Sequence, residues 1–311
     1  MSLLFVAPEK DPKPFIDAIH AVDPNVDVDV WPAVEKPERV QFAVAWNHPK
    51  HLFQKFPNLR VISSLGAGVD HLLADDTIPP GIRFTRLIGS SLSGQMGDYV
   101  LTAVLNIMRN TQIYFRQQVR GEWKVHQPLQ KDDLTIGIMG MGELGSSVAS
   151  RLVQNGFSVN GWSTSKKEID GVQTYVGEEL DDFLSETNVV VCLLPLTEQT
   201  EGILDLALFK KLRKPAFLIN AARGAHLVDE DLIYALDAGI LEHATLDVFT
   251  KEPLPASHPF WGREKIMITP CVSSIVAPQE AAGMILENYK RLLSGMELLG
   301  RVDVSANEEE N

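Results

Sequence analysis

The sequence predicts an α/β fold of two lobes, one of them a doubly wound parallel sheet, and three observations predict it. Short β-rich runs alternate with helical stretches from one end of the chain to the other, the rhythm of parallel sheets crossed by helices. Six of those runs follow one another after residue 133, enough for a complete doubly wound sheet. A glycine-rich turn joins the first of the six to a helix-like segment. The 311 residues leave room for two domains, and 45% hydrophobic with 22% charged residues is ordinary for a globular chain.

The first lobe opens with strand-like runs at Leu3–Ala7, Val26–Val30, Phe42–Trp46 and Val61–Leu65. The second alternates valine with aspartate, which predicts a half-exposed strand near a sheet edge. The spacing of Tyr99, Leu101, Val104, Leu105, Ile107 and Met108 predicts one long helix over about Ser93–Arg120, closed by Gly121. Beyond the loop Trp123–Asp133 come Leu134–Met139, Ser158–Trp162, Val189–Leu194, Ala216–Asn220, Ala244–Val248 and Ile266–Thr269. A final helix, about Ala277–Ser294, follows the set and is free to return to the first lobe. The organisation is therefore discontinuous: residues 1–95 with 277–311 form one lobe and 96–276 the other, with the active site expected in the cleft between them. The polar tail Asn307–Asn311 is expected to fray.

The bulk chemistry narrows the partners. A formal net charge of −13 disfavours nucleic acid and anionic membranes, and an anionic ligand then needs a local positive site. No apolar run has the roughly 18 residues needed to span a bilayer, and the first residues read as a strand rather than a signal peptide. Two cysteines, Cys192 and Cys271, make no disulfide framework, so the expected compartment is the reducing cytoplasm. No metal ligand set is assigned.

The sharpest local signal is the run into Gly140-Met141-Gly142-Glu143-Leu144-Gly145. Gly140 suits a tight turn, Gly142 lets a pyrophosphate approach the backbone, and Gly145 lets the following helix pack on the strand. The helix N-terminus then faces the phosphates. The next strand ends in Ser163-Thr164-Ser165-Lys166-Lys167, where an NAD site would place an acid against the ribose hydroxyl. Small donors, positive charge and no carboxylate suit a 2′-phosphate instead, so NADPH is favoured over NADH. Leu194, Pro195, Ala221, Ala222, Arg223 and Asp247, all at later strand ends, are assigned to the same cofactor surface.

Three further segments follow in order: Ile219-Asn220-Ala221-Ala222-Arg223-Gly224, then Leu246-Asp247-Val248-Phe249-Thr250-Lys251-Glu252-Pro253-Leu254, then Ile268-Thr269-Pro270-Cys271-Val272-Ser273-Ser274. With the glycine loop, they resemble the D-isomer-specific 2-hydroxyacid dehydrogenases over nearly the whole chain. Trp46-Asn47-His48-Pro49, Leu65-Gly66-Ala67-Gly68-Val69-Asp70, Gln95-Met96 and the Trp162-Ser163 strand end bring the resemblance closest to the glyoxylate/hydroxypyruvate reductases.

That resemblance implies a Rossmann dinucleotide-binding domain inserted in a flavodoxin-like substrate domain, a homodimer, and reduction of glyoxylate or hydroxypyruvate to a D-2-hydroxy acid. The chain's own residues are compatible with those roles. A planar guanidinium at Arg223 can bind the keto oxygen and carboxylate and stabilise the charge that grows on oxygen. The small residues Ala67 and Gly68 can offer backbone N–H groups to the carboxylate. Trp46 either walls the pocket or simply packs. Glu252 matches the family carboxylate that orients the catalytic acid. Asp247 either supports the nicotinamide side or the catalytic pair, or caps a strand-end turn. Ser93–Arg120 either packs against a second copy or packs only within its own chain.

One position departs from the family, whose pattern after the last strand is Thr-Pro-His: here it is Thr269-Pro270-Cys271. A thiol titrates near about 8.5 when unperturbed, and a Glu252 anion alongside would keep it protonated. Cys271, or a protonated Glu252 acting through water, is then the acid, at a cost set by general catalysis worth roughly 10² to 10⁴-fold. The alternative is a dinucleotide-binding or sensing protein that has lost turnover. His48, His226, His243 and His258 are replacement candidates, and Cys271 as a covalent nucleophile lacks an evident base.

Overall fold

The computed structural model describes residues 1–87 and 89–302, so the polar tail lies outside the described residues. The chain divides into two compact units, residues 1–89 with 276–311 and residues 90–275.

The first unit begins β1 (Ser2–Val6), α1 (Lys13–Val22), β2 (Val28–Val30), β3 (Val40–Ala45), β4 (Val61–Ser64), α2 (Asp70–Leu73) and β5 (Arg83–Thr85). Every residue of β1 is buried, as befits a strand covered on both faces. Val28–Val30 is half-buried at the edge of the sheet, as the valine–aspartate alternation predicted.

The second unit runs α3 (Ser90–Met108), α4 (Thr111–Arg120), β6 (Thr135–Met139), α5 (Glu143–Gln154), β7 (Ser158–Ser163), β8 (Val172–Val176), α6 (Leu180–Ser185), β9 (Val189–Cys192), α7 (Leu206–Lys211), β10 (Phe217–Asn220), α8 (Asp229–Asp237), β11 (His243–Leu246) and β12 (Ile266–Ile268). The chain then returns to the first unit with α9 (Pro278–Leu293) and β13 (Arg301–Val302).

In the first unit the sheet order is β13-β5-β4-β3-β1-β2, parallel except for β13. Leu4, Val6, Ala43, Phe53, Ile62 and Leu72 belong to the core on one face. Helices α1 and α9 pack together, and Phe5 meets Phe15 and Phe42 meets Tyr289 at ring distances of 5.4 and 6.0 Å. In the second unit seven parallel strands lie in the order β12-β11-β10-β9-β6-β7-β8, the doubly wound arrangement the sequence predicted. Apolar clusters around Phe183, Phe209 and Leu236 and around Val100, Val148 and Ile219 give this unit its core.

Three expectations change: the second sheet has seven strands rather than six, β8 being the added one. The helix expected as one piece over Ser93–Arg120 is two, because Asn110 is left-handed at φ 54° and donates its side-chain amide to Gln127 O at 2.9 Å. Asparagine tolerates that conformation better than most residues. The unit boundary, expected after Gln95, lies before Ser90: α3 packs against α5, with Met96 and Val100 in that unit's core, so the whole helix stays with the second unit.

Candidate active site

Parallel strands end on the same side, so a parallel sheet gathers its strand-end loops along one edge, where α/β proteins bind ligands. In the second unit that edge carries Gly140 after β6, Ser163 at the end of β7, Leu194 and Pro195 after β9, Ala221–Arg223 after β10, Asp247 after β11 and Cys271 after β12. The sheet order reverses where β9 and β7 flank β6.

The three glycines of the loop have three different environments. Gly140 has φ +103°, and a Cβ there would meet Leu193 O at 2.7 Å. A Cβ on Gly145 would come within 1.8 Å of Gly140 O, so only glycine lets α5 approach the turn this closely. Gly142 has no protein atom within 4 Å of the same position, which leaves room for a phosphate above the first turn of α5. Met141 packs on Gly161, where a Cβ would meet its sulfur at 2.6 Å, and Glu143 is exposed at the start of α5. Leu144 is partly buried against the core. Ser163 Oγ donates to Ser165 O at 2.8 Å, closing the turn that exposes Thr164, Ser165, Lys166 and Lys167. These residues fit a dinucleotide carrying a 2′-phosphate.

The turn after β10 is fixed from three directions. Asn220, fully buried, accepts from Ala222 N at 3.2 Å and donates to Arg223 O at 3.0 Å. His226, also fully buried, has Nδ1 3.2 Å from both Arg223 N and Arg223 O, and Nε2 3.2 Å from Pro195 O. A Cβ on Gly224 would stand 1.9 Å from the Phe249 carbonyl carbon. Arg223 itself is half-buried and donates from Nη1 to Ala222 O at 2.7 Å. His226 is thus a strut of the arginine turn. Sequence reasoning treated it as a replacement acid; its three-residue spacing from Arg223 was the available signal.

Past β12, Cys271 is exposed and left-handed at φ 54°. Asp247 is fully buried beneath it. Tyr99 and Thr269, which sequence reasoning left out of the site, join Asp247 through hydroxyls: Tyr99 Oη lies 2.7 Å from Thr269 Oγ1, and Thr269 Oγ1 donates to Asp247 Oδ1 at 2.6 Å. Burial pushes the Tyr99 phenol pKa upward, so it stays protonated. Glu252 is exposed, and its Oε1 accepts from Phe249 N at 2.9 Å within its own turn.

In the first unit, Trp46 covers Gly66, where a Cβ would come within 2.8 Å of its ring, and Trp46 also lies 4.8 Å from the His71 ring. Ser64 Oγ donates to Gly68 O at 2.6 Å, holding the loop that contains Ala67. His48 is buried against Asp75, with Nε2 to Oδ2 at 2.9 Å. The other replacement candidates are also engaged elsewhere. His258 Nε2 lies 3.2 Å from Asp229 Oδ2. His243 bonds Gln112, and burial, with Arg116 nearby, pulls its pKa down to about 4, so the ring is uncharged at neutral pH and is no imidazolium acid.

A dinucleotide loop, a locked strand-end arginine and a doubly wound sheet define a nucleotide-dependent α/β protein. Residues 101–273 match the model of the NAD-binding domain of the D-isomer-specific 2-hydroxyacid dehydrogenases. Relatives described as glyoxylate/hydroxypyruvate reductase A are 40% identical in Serratia proteamaculans and 37% in Yersinia enterocolitica, covering 98% of this chain and 99% of each relative. Among solved structures, a D-isomer-specific 2-hydroxyacid dehydrogenase of Xanthobacter autotrophicus, in complex with NADPH and MES, aligns with a TM-score of 0.92 at 36% identity over 97% of this chain and 98% of its own. The NADPH-dependent glyoxylate/hydroxypyruvate reductase of Sinorhizobium meliloti, in complex with NADP and sulfate, aligns with a TM-score of 0.91 at 35% identity over the same shares. The chain belongs to the D-isomer-specific 2-hydroxyacid dehydrogenase family.

Proposed function

We propose that this protein reduces small 2-keto acids, glyoxylate and hydroxypyruvate foremost, to D-2-hydroxy acids with NADPH. The observation that carries the reading is Arg223, held by Asn220, His226 and the Gly224 contact on the same sheet edge as the open glycine loop. The names of the relatives point to the same substrates.

NADPH, when held there, would supply the hydride. The residues of the chain do the rest. The Gly140–Gly145 backbone and the N-terminus of α5 receive the pyrophosphate, and Ser163, Thr164, Ser165 and Lys166 receive the 2′-phosphate. Leu194, Pro195, Ala221 and Ala222 line the cofactor, while Met141 and Leu144, also assigned to it from the sequence, pack into the core beneath the loop. Ala67 and Gly68 amides bind the substrate carboxylate, with Trp46 as a wall. Arg223 binds the keto oxygen and stabilises the charge that develops on it. The Cys271 thiol, or Glu252 through water, delivers the proton.

The test is NADPH oxidation, followed by nicotinamide absorbance, with glyoxylate and hydroxypyruvate, comparing the natural protein with Cys271→His. Turnover by the natural protein is the expected result, with a gain of roughly 10²-fold or more in the variant if the thiol is a weak acid. A natural protein that binds NADPH but turns over nothing, with activity appearing only in the variant, would replace this reading by a binding or sensing one.

The protein acts, on this proposal, as a homodimer in the cytoplasm. No helix among the described residues is long and apolar enough to cross a membrane. Helix α4 and the segment after it expose Phe115, Val119, Trp123 and Val125, at 66, 78, 100 and 80%. They adjoin a groove of about 510 Å³ whose lining includes Gln117, His126 and His243, each with a buried polar atom that has no hydrogen-bond partner among the described residues. The groove is lined by Arg116, Arg120, Lys124 and Lys265 against Glu122, Glu242 and Glu264, so this face is nearly neutral on a chain of net charge −13. A protruding apolar segment beside a neutral groove is self-complementary under twofold symmetry. Trp123→Asp should yield a monomer in sedimentation; an unchanged mass for the variant would discard this interface.

A further inference from the structure

We propose that Asp247 is the positioning residue for position 271: its buried carboxylate holds the 269–273 turn and so aims whatever side chain stands at 271 toward the reaction. The inference rests on the reductase reading above but deepens it, because the sequence left Asp247 open between the nicotinamide side, the catalytic pair and a turn cap.

Asp247 is fully buried and both of its oxygens are engaged. Oδ1 accepts from Thr269 Oγ1 at 2.6 Å and from Val272 N at 2.9 Å, and Oδ2 accepts from Ser273 N at 2.8 Å. The Asp247 carbonyl accepts from Cys271 N at 2.8 Å. One residue thus grips the turn at 269, 271, 272 and 273, on both sides of the cysteine. Its own N–H donates to Asn220 O at 2.9 Å, and Asn220 in turn fixes the Arg223 turn. Asp247 therefore ties the residue at 271 to the arginine that would bind the keto oxygen.

The turn needs such a grip. A left-handed cysteine costs on the order of 1 kcal/mol and persists only where its surroundings over-determine it. Among the described residues, the other left-handed positions that are not glycine are Asn47, His51 and Asn110. All four bonds to Asp247 come from the 269–273 turn, three of them from its backbone. The cradle therefore serves the position rather than the thiol, and would present a histidine in the same way.

The test is Asp247→Asn, with Thr269→Val as a milder variant that removes one of the three side-chain bonds. An asparagine cannot accept at both former oxygens, so one backbone N–H loses its partner. The first readout is alkylation of Cys271 by iodoacetamide, followed by peptide mass. Cys192 does not compete, being buried with its thiol pKa pushed up to about 12. The others are NADPH affinity by fluorescence, and kcat against KM for hydroxypyruvate.

Positioning predicts an alkylation rate changed at least about threefold. It also predicts kcat lowered at least tenfold with KM little moved, and NADPH affinity within about twofold. Thr269→Val should shift each in the same direction by less. A tenfold loss of NADPH affinity with unchanged alkylation would make Asp247 a cofactor ligand and overturn the proposal. Lower thermal stability with alkylation and kcat unchanged would make it a structural residue and overturn it equally. If the natural protein turns over no keto acid, the reductase reading fails by itself, and alkylation still decides the role of Asp247.

Discussion

Two strand-end turns of the second unit solve the same backbone problem by different means. The turn after β6 places Gly140 at φ +103°, and the turn after β12 places Cys271 at φ 54°. Glycine occupies such a conformation at no steric cost, and the close approach of Leu193 O, 2.7 Å from where a Cβ would be, makes glycine obligatory. Cysteine has no such freedom, and its turn is held by bonds to one buried carboxylate twenty-four residues earlier. A turn fixed by sterics is written in the residue that occupies it. A turn fixed by hydrogen bonds is written in a residue elsewhere in the chain.

Substitutions at the three turns differ in expected effect. The largest concerns Arg223, whose turn combines both means, with Gly224 packed on the 249–250 backbone and His226 bonded to the arginine backbone. Arg223→Ala should lower kcat/KM for hydroxypyruvate by roughly 10² to 10³-fold, with NADPH affinity largely kept. A loss under tenfold in steady-state kinetics would remove the arginine from its assigned role.

Next comes the glycine loop. Gly145→Ala forces a Cβ to within 1.8 Å of Gly140 O. It should cost about 1–3 kcal/mol of stability and weaken NADPH binding at least tenfold. Gly142→Ala meets no protein atom within 4 Å. It should leave the melting temperature alone and still weaken NADPH binding, since the added methyl occupies the space meant for phosphate. Calorimetry and a fluorescence titration on both variants separate packing from ligand approach; equal melting losses would contradict the distinction.

The smallest effect lies at the bonded turn. Cys271→Gly should hold the melting temperature within about 2 °C, because relief of left-handed strain offsets the chain entropy of glycine. Cys271→Val puts a β-branched residue at positive φ, where it is a genuine outlier. It should lower stability by about 1–2 kcal/mol. If valine is as well tolerated as glycine, position 271 is not strained.

The sequence made the dinucleotide half of the site legible because each glycine has a local steric reason, readable from its strand, turn and helix neighbours. It also showed the edge position of Val28–Val30 through its alternating pattern. It missed β5 and β13, of three and two residues, and it missed β8, Val172–Val176, which buries only Tyr175 at a sheet margin and so carries no continuous apolar run. It ran α3 and α4 together because the apolar spacing continues past Asn110, whereas the break depends on a bond to Gln127, seventeen residues away.

The α/β class, the parallel sheets, the glycine loop and the arginine turn are readable along the chain because they rest on local pattern and local sterics. That His226 braces the arginine, that His48, His243 and His258 are engaged elsewhere, and that Asp247 lies under Cys271 emerges from the folded chain. Those facts depend on which side chains the parallel sheet brings together at its edge. Hydrogen bonds between residues distant in sequence leave no period or spacing in the chain to read.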